Sequence, residues 1–437
     1  MVVIYDIFGI SMKNNSFINI YLALLLLVAQ TEISRYVFFL TFPLWLILLY
    51  IKNKVNVFSQ TEPLYLILIL LIGLCSSIAH LAEYNFYFIS RDIIYFIQAP
   101  IFIMLGMLLY AYTNNLRVLL KIIVLSSLSI TLYNFSELIV NPSIIFQIGI
   151  DTRFSINVSN PSSLLTFIII FYARKYNYKI FKKNYEIIIM LLSLLSISLS
   201  FSRTLYLLFI IAISIDYLNK SKLMKKAYYA SIILVLFVIF GGSMLSVEYN
   251  TIDDVTLITK FQHSIYEMAV HSYDRLDEIN NNWRGFEAYL GLSKFYEGNW
   301  LELIFGQGFG AVIHTPYWIF SGKKDGLDVI PMFHNGYITI LLKTGILGIL
   351  IFFLFLHKLL NIKTTDIKKK NYSTINLSTS LIHAIVFIIF FQTFVIHGIF
   401  STTPPMLLLV LIGILIRNLT SYNKGKYNVK NLNSKLQ

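Results

Sequence analysis

His334 and Asn335 stand directly before a long apolar run, Tyr337 to Lys358. An imidazole titrates near neutrality, so it can take a proton from a hydroxyl or donate to a phosphate oxygen. The plain alternative is a polar surface residue at a membrane boundary. Asn335 is a helix N-cap candidate, because its side chain accepts from the first free backbone amides. A helix start of this kind favours anions, since unpaired amides and the helix dipole point outward. Lys343 follows ~12 Å deeper at the helical rise, and Gly336, Thr339 and Lys343 fall on roughly one face. A lysine at that depth marks a functional position by default, with snorkelling outward as its alternative. Upstream, Trp283-Arg284-Gly285-Phe286-Glu287 brings a guanidinium and a carboxylate into one short segment. Glu287, Asp274, Asp277 and Glu278 rival His334 as proton acceptors.

The arginines are partitioned. Arg35, Arg91, Arg153, Arg203, Arg275 and Arg284 all fall at predicted outer junctions, and only three others exist in a chain that elsewhere prefers lysine. The planar fork of arginine suits bidentate contact with phosphate, which points to anion recognition at that face. Headgroup anchoring is the simpler reading of the same pattern. The run Gly306-Gln307-Gly308-Phe309-Gly310 has no Walker lysine and no preceding strand, so it reads as a turn and not as a nucleotide loop.

A membrane frame must position these groups. The 437 residues are 57% hydrophobic and 13% charged, with a mean hydropathy of +0.70, which excludes an ordinary soluble globule. A span needs ~20 apolar residues. Candidates lie at about 17–30, 34–51, 63–80, 93–112, 118–140, 161–173, 186–201, 204–218, 228–247, 335–357, 380–397 and 403–419. With both termini inside, the cytoplasmic side collects 24 of the 35 basic residues. The outer stretch 248–333 holds six basic and twelve acidic residues, so the net charge of +13 reports topology and not nucleic-acid binding.

Four regions follow: membrane helices over 1–247, a large outer loop over 248–333, further membrane helices over 334–419 and a polar tail over 420–437. The tail's Lys/Asn-rich composition predicts disorder. The start of the chain shows no small-residue cleavage site after its first apolar run, so no cleavable signal peptide is expected. A single cysteine, Cys75, lies within a predicted span and excludes disulfides and cysteine metal sites.

Two further features bear on chemistry. The hairpin Ser198 to Thr204 has limbs of only about fifteen residues, or ~22 Å, so Arg203 at its apex is expected in a pocket below the outer surface. In the outer loop, helical periodicity is expected over Thr259–Glu278 and Trp283–Glu297. The second of these aligns Trp283, Phe286, Tyr289, Leu290 and Phe295 near one face.

The Ser200-Phe201-Ser202-Arg203 element, the large late loop with Trp283-Arg284 and its glycine turn, and His334-Asn335-Gly336-Tyr337 leading into a Thr344-Gly345-Ile346-Leu347-Gly348 helix resemble the O-antigen polymerase and ligase superfamily. The layout covers most of the chain, and the motifs cover about 200–348. The resemblance implies an all-α, polytopic, GT-C-like glycosyltransferase of about twelve transmembrane helices, with no metal, cofactor or nucleotide sugar. It would sit in a bacterial inner membrane with the loop periplasmic.

The implied donor is a glycan on undecaprenyl pyrophosphate. The acceptor would be another lipid-linked repeat unit in a polymerase, or the lipid A core in a ligase. By position, Arg203 and Arg284 would neutralise the pyrophosphate, and His334 would activate the acceptor hydroxyl. Arg91, Arg153, Arg275, Asn335, Tyr337, Lys343 and Glu287 are the expected substrate contacts. Membrane lipids, and a chain-length regulator and a flippase of the same pathway, are the expected partners. Polymerase is preferred because the Ile/Asn/Lys/Tyr-rich composition suits divergent surface-polysaccharide loci, whether for O-antigen, capsule or exopolysaccharide. A lipid-linked oligosaccharide flippase is the rival of a different class, but it would be expected to show internal repeats, and none is visible.

Overall fold

The computed structural model describes residues 61–140, 162–200, 202–218, 224–233, 279, 282–319, 327–362, 372–401 and 405–433. The described elements are α1 (Glu62–Ala79), α2 (Phe86–Thr113), α3 (Leu116–Val140), α4 (Ser162–Lys175), α5 (Lys183–Leu199), α6 (Arg203–Leu218), α7 (Trp283–Tyr296), α8 (Trp300–Phe305), α9 (Gly336–Leu360), α10 (Tyr372–Val395) and α11 (Met406–Asn433). The fold is mainly helical. It departs from an all-α expectation in one antiparallel pair between α8 and α9, β1 (Ile313–Ile319) with β2 (Leu327–Ile330). The predicted spans at 17–30 and 34–51, most of the one at 228–247, and the predicted helix 259–278 lie outside the described residues.

Five described helices are long and apolar enough to cross a membrane: α1, α2, α9, α10 and the first eighteen residues of α3. Arg203–Ile215 and Met406–Ser421 are shorter apolar segments. Exposed apolar residues recur at helical spacing, as in Ile346, Leu350 and Leu354 on α9, and Ile188, Leu191 and Leu195 on α5. Rows of this kind are unfavourable in water and suit a hydrocarbon surround. The last helix continues to Asn433, so residues 418–433 are helical where composition predicts disorder.

Contacts sort the helix ends into two faces. At one end Arg117 donates to Ile180 O, Tyr176 meets Ser380, and Ser373 donates to Tyr176 O. At the other, Tyr84 donates to Gln307 O, Arg91 to Pro331 O, and His397 reaches Phe333 O. Close packing of α2 on α11 depends on Gly106 and Gly413, where an added Cβ would run into the Val410 and Ile103 carbonyls. Asn418 joins the same layer, accepting from Tyr110 and donating to Ser378.

The glycine-rich turn is built into the membrane helices. Helix α9 breaks at Gly345, whose φ of 67° is costly for any residue with a Cβ. A break at that depth leaves carbonyls that need donors, because lipid supplies none. The turn provides them: Gln307 N donates to Leu342 O at 2.8 Å and Gly308 N to Lys343 O at 3.1 Å. Phe309 N donates to Ser77 Oγ at 2.6 Å, and its buried ring lies 4.8 Å from that of Phe96. Gly306 and Gly308, both at positive φ, allow the turn to press against the α9 and α1 backbones. The short helix α8 is held by an Asn299/Glu302 capping box, and Glu302 also reaches His80 at the end of α1.

An ion-pair cluster ties the turn to α2 and α9. Asp92 Oδ2 lies 2.6 Å from Lys343 Nζ and accepts from Gly310 N at 3.0 Å, while Oδ1 accepts from Arg91 at 2.9 Å. Lys343 also donates to Ala311 O. The Lys343 side chain has no exposed surface, which replaces the snorkelling alternative with a buried pair. Composition supplied the lysine, and the chain fold supplied its counter-ion.

Candidate active site

The site grows from the mouth of α9. Asn335, in an extended conformation, caps the helix by accepting from Tyr337 N at 3.0 Å, as its position predicts. His334 therefore sits one residue outside the cap. Thr339 holds the preceding turn by accepting from Phe333 N at 3.2 Å. Gly336 N donates to Ile396 O, and a Cβ at Gly336 would meet the His397 carbonyl at 2.8 Å, so the α9 mouth lies directly against the segment that follows α10.

Helix α7 brings a carboxylate to this mouth. Its apolar face buries Phe286, Leu292 and Phe295, which carries Glu287 inward to 5% side-chain exposure. Glu287 Oε2 accepts from His334 N at 3.0 Å and lies 2.7 Å from His334 Nδ1. A carboxylate can only accept, so Nδ1 carries the proton and Nε2 keeps its lone pair. The imidazole is 37% exposed. Glu287 thus orients His334 in the tautomer a general base requires.

A second histidine, which the residue pattern did not bring forward, completes the cluster. His397 follows the end of α10, its ring centroid 5.1 Å from that of His334 and its Nδ1 2.5 Å from Phe333 O. The carbonyl accepts, so His397 also carries its proton on Nδ1. Burial, reinforced by His334, holds its pKa below the ordinary 6.5; Phe333 O and Glu287 oppose this, and Arg284 adds to it.

A histidine with a lowered pKa is accommodated in its neutral form. Its contribution to stability is whole above pH 6.5 and is lost as pH falls through the depressed value. Thermal stability measured from pH 7.5 downward should decline below 6.5, and less steeply in His397→Gln, which keeps a donor for Phe333 without titrating.

Arg284 lies one turn before Glu287 on α7, half-buried, and its charge reaches His397. Arg203 begins α6 at the same end of the bundle and is also half-buried. The hairpin before it is ordered by its serines. Ser202 Oγ accepts from Leu205 N, Ser202 N donates to Ser200 Oγ, and Tyr206 donates to Ser198 O. The two limbs, α5 and α6, have 17 and 16 residues. These helices are short of the ~20 residues of a full span.

Other expected contacts have different surroundings. Arg91 is held by Asp92, Pro331 O and the rings of Phe88 and Tyr95. Tyr337 is fully buried and donates to Phe390 O. Lys343 belongs to the Asp92 cluster. Arg153, Arg275, Asp274, Asp277 and Glu278 lie outside the described residues. Asp92 was not singled out from the sequence, although a buried lysine at membrane depth calls for an acidic partner.

The fold and site thus define a multi-pass membrane protein with a polar, histidine-bearing cluster at one end of its helices. A family model described as O-antigen ligase matches residues 188–353, and it supports the O-antigen polymerase and ligase superfamily. The matched stretch contains Arg203, Arg284, Glu287, His334 and the Gly345 break, and stops short of His397. No curated protein and no solved structure matches the chain. Members of the matched family are glycosyltransferase-like enzymes acting in O-antigen biosynthesis.

Proposed function

We propose that the protein is a surface-polysaccharide polymerase. It joins undecaprenyl-pyrophosphate-linked repeat units at the periplasmic face of the inner membrane and releases undecaprenyl pyrophosphate. The observation that carries this reading is the Glu287–His334 pair at the mouth of α9, within the matched family region. Attack on an anomeric carbon needs a base for the acceptor hydroxyl and positive charge where the leaving phosphate develops. His334 Nε2 takes the hydroxyl proton, Glu287 steadies the resulting imidazolium, and Arg203 and Arg284 neutralise the departing pyrophosphate in place of a divalent cation. Asn335 keeps the helix mouth formed.

The family description itself favours a second reading, transfer of the finished glycan to lipid A core. Reconstitution separates the two. Purified protein in lipid, given lipid-linked repeat units under chelation, should yield a ladder of products resolved by size. Unchanged repeat units together with transfer to added lipid A core would establish the ligase instead, and unchanged material with both acceptors would remove the glycosyltransferase proposal for that glycan.

A further inference from the structure

Helix α8 is built the wrong way round for water. None of its residues is fully buried, and Trp300, Leu301, Ile304 and Phe305, with Tyr296 at the end of α7, are 39–67% exposed. Its one carboxylate faces the protein instead: Glu302 accepts from Asn299 N at 3.1 Å and pairs with His80. A lone apolar residue on a surface is ordinary. A group of them clustered in so short a stretch marks contact with a partner.

Two observations name that partner. The first is continuity with surfaces that already face lipid. The end of α8 is held between α1 and α9: Ser76 donates to Phe305 O at 2.9 Å, and an added Cβ at Gly345 would run into Ile304 O. On the α1 side, the exposed row Leu64, Leu68, Leu71, Cys75 and Ile78 runs at helical spacing past Ser76. On the α9 side, the row Ile346, Leu350 and Leu354 starts directly after Gly345, whereas the helix from Gly336 to Gly345 is buried throughout. The attachments of α8 thus lie within reach of both rows.

The second observation is length. From Gly345 to its far end at Leu360, α9 rises only ~22 Å, against a hydrocarbon core of ~30 Å. Hydrocarbon therefore continues ~8 Å past the level of α8 toward the His334 end. Ile78 and Leu81, which lie beyond Ser76 on that side, are exposed and apolar as this requires.

We propose that α8 is a foot set into the hydrocarbon of the leaflet on the His334 side, with acyl chains as the occupant of its apolar face. It belongs to a stretch that sequence assigns to an aqueous loop, and the fold turns it into a membrane contact. Tyr296 and Trp300 are of the aromatic types enriched where hydrocarbon meets headgroups. The foot also sets a height. Helix α7 runs from Glu287, which holds His334, to Lys294, whose carbonyl accepts from Gln307 in the turn after α8. The α9 mouth lies ~14 Å from Gly345 along the helix and so ~6 Å above the hydrocarbon edge, within the headgroup layer. On the glycosyltransferase reading, on which this last step rests, the pyrophosphate of a lipid-linked donor lies at that level.

Spin labelling of the full chain in phosphatidylglycerol/phosphatidylethanolamine vesicles tests the insertion. Cys75→Ser removes the single native thiol. Nitroxides are then attached in Leu301→Cys and Ile304→Cys, with Leu350→Cys as the lipid reference and His314→Cys as the aqueous one; all four positions are exposed, so the fold should be kept. The ratio of oxygen to water-soluble nickel-chelate accessibility is expected to be several-fold higher in Leu301→Cys and Ile304→Cys than in His314→Cys, and to match Leu350→Cys. Ratios equal to that of His314→Cys place α8 in water and overturn the proposal. Labels shielded from both reagents and broadened by a neighbouring label mean that a second copy of the chain covers the patch, which overturns lipid as its occupant. The measurement needs no glycosyl transfer, so its failure is distinct from a failure of the catalytic assignment.

Discussion

Replacing His334 by alanine is expected to cut the rate of glycosyl transfer by ~10²–10⁴-fold, the range for loss of a positioned general base. The protein should remain folded, because the histidine is partly exposed and its backbone amide still donates to Glu287. Single-turnover rates with a lipid-linked donor and a fixed acceptor would measure it, with acceptor binding little changed. Glu287→Gln should be intermediate and more informative. The amide oxygen can still accept from Nδ1, but the negative charge that stabilises the imidazolium formed during proton transfer is gone, so the transfer rate should fall while acceptor binding stays close to that of the unaltered protein. Full activity in His334→Ala would assign the imidazole to the surface and return the base to the loop's carboxylates.

The largest effect on the fold is expected at Asp92. Asp92→Ala leaves Lys343 with a fully buried charge and removes the acceptor of Gly310 N and Arg91, and breaking a buried pair in this way costs about 3–5 kcal/mol. The loss should appear as aggregation or a strongly lowered melting temperature on detergent extraction. Asp92→Leu combined with Lys343→Met removes both charges and should recover much of that loss, since the penalty lies in the unpaired ion and not in the absence of the pair. A double variant no better than Asp92→Ala would mean that the two side chains are not energetically coupled. The cluster anchors the glycine turn and, through Arg91 and Pro331, the strand end that leads to His334. Milder lesions there should therefore reduce activity before they unfold the protein.

Local sequence carried a good deal of this. Apolar runs located α1, α2, α3, α9 and α10, because lipid-facing and core-facing residues are both hydrophobic and their length is set by the bilayer. The Asn335 cap, the helix from Trp283 and the turn at Gly306–Gly310 were legible because caps, amphipathic periodicity and glycine turns are written within a few residues. His334 was found by its place at a helix mouth.

Tertiary structure decided what each group is for. Glu287 could be read as a competing base because 47 positions separate it from His334; only the packing of α7 beside the α9 mouth makes it the partner that sets the histidine's tautomer. Arg91 and Lys343 looked like anion ligands by type, yet Asp92 claims both across α2 and α9. His397, 63 residues after His334, joins the site through the turn beyond α10. The difference is one of range: helix formation and turn chemistry are settled by neighbours in sequence. Charge pairing and proton placement depend on a few ångströms between distant segments, and the fold of the whole chain sets that distance.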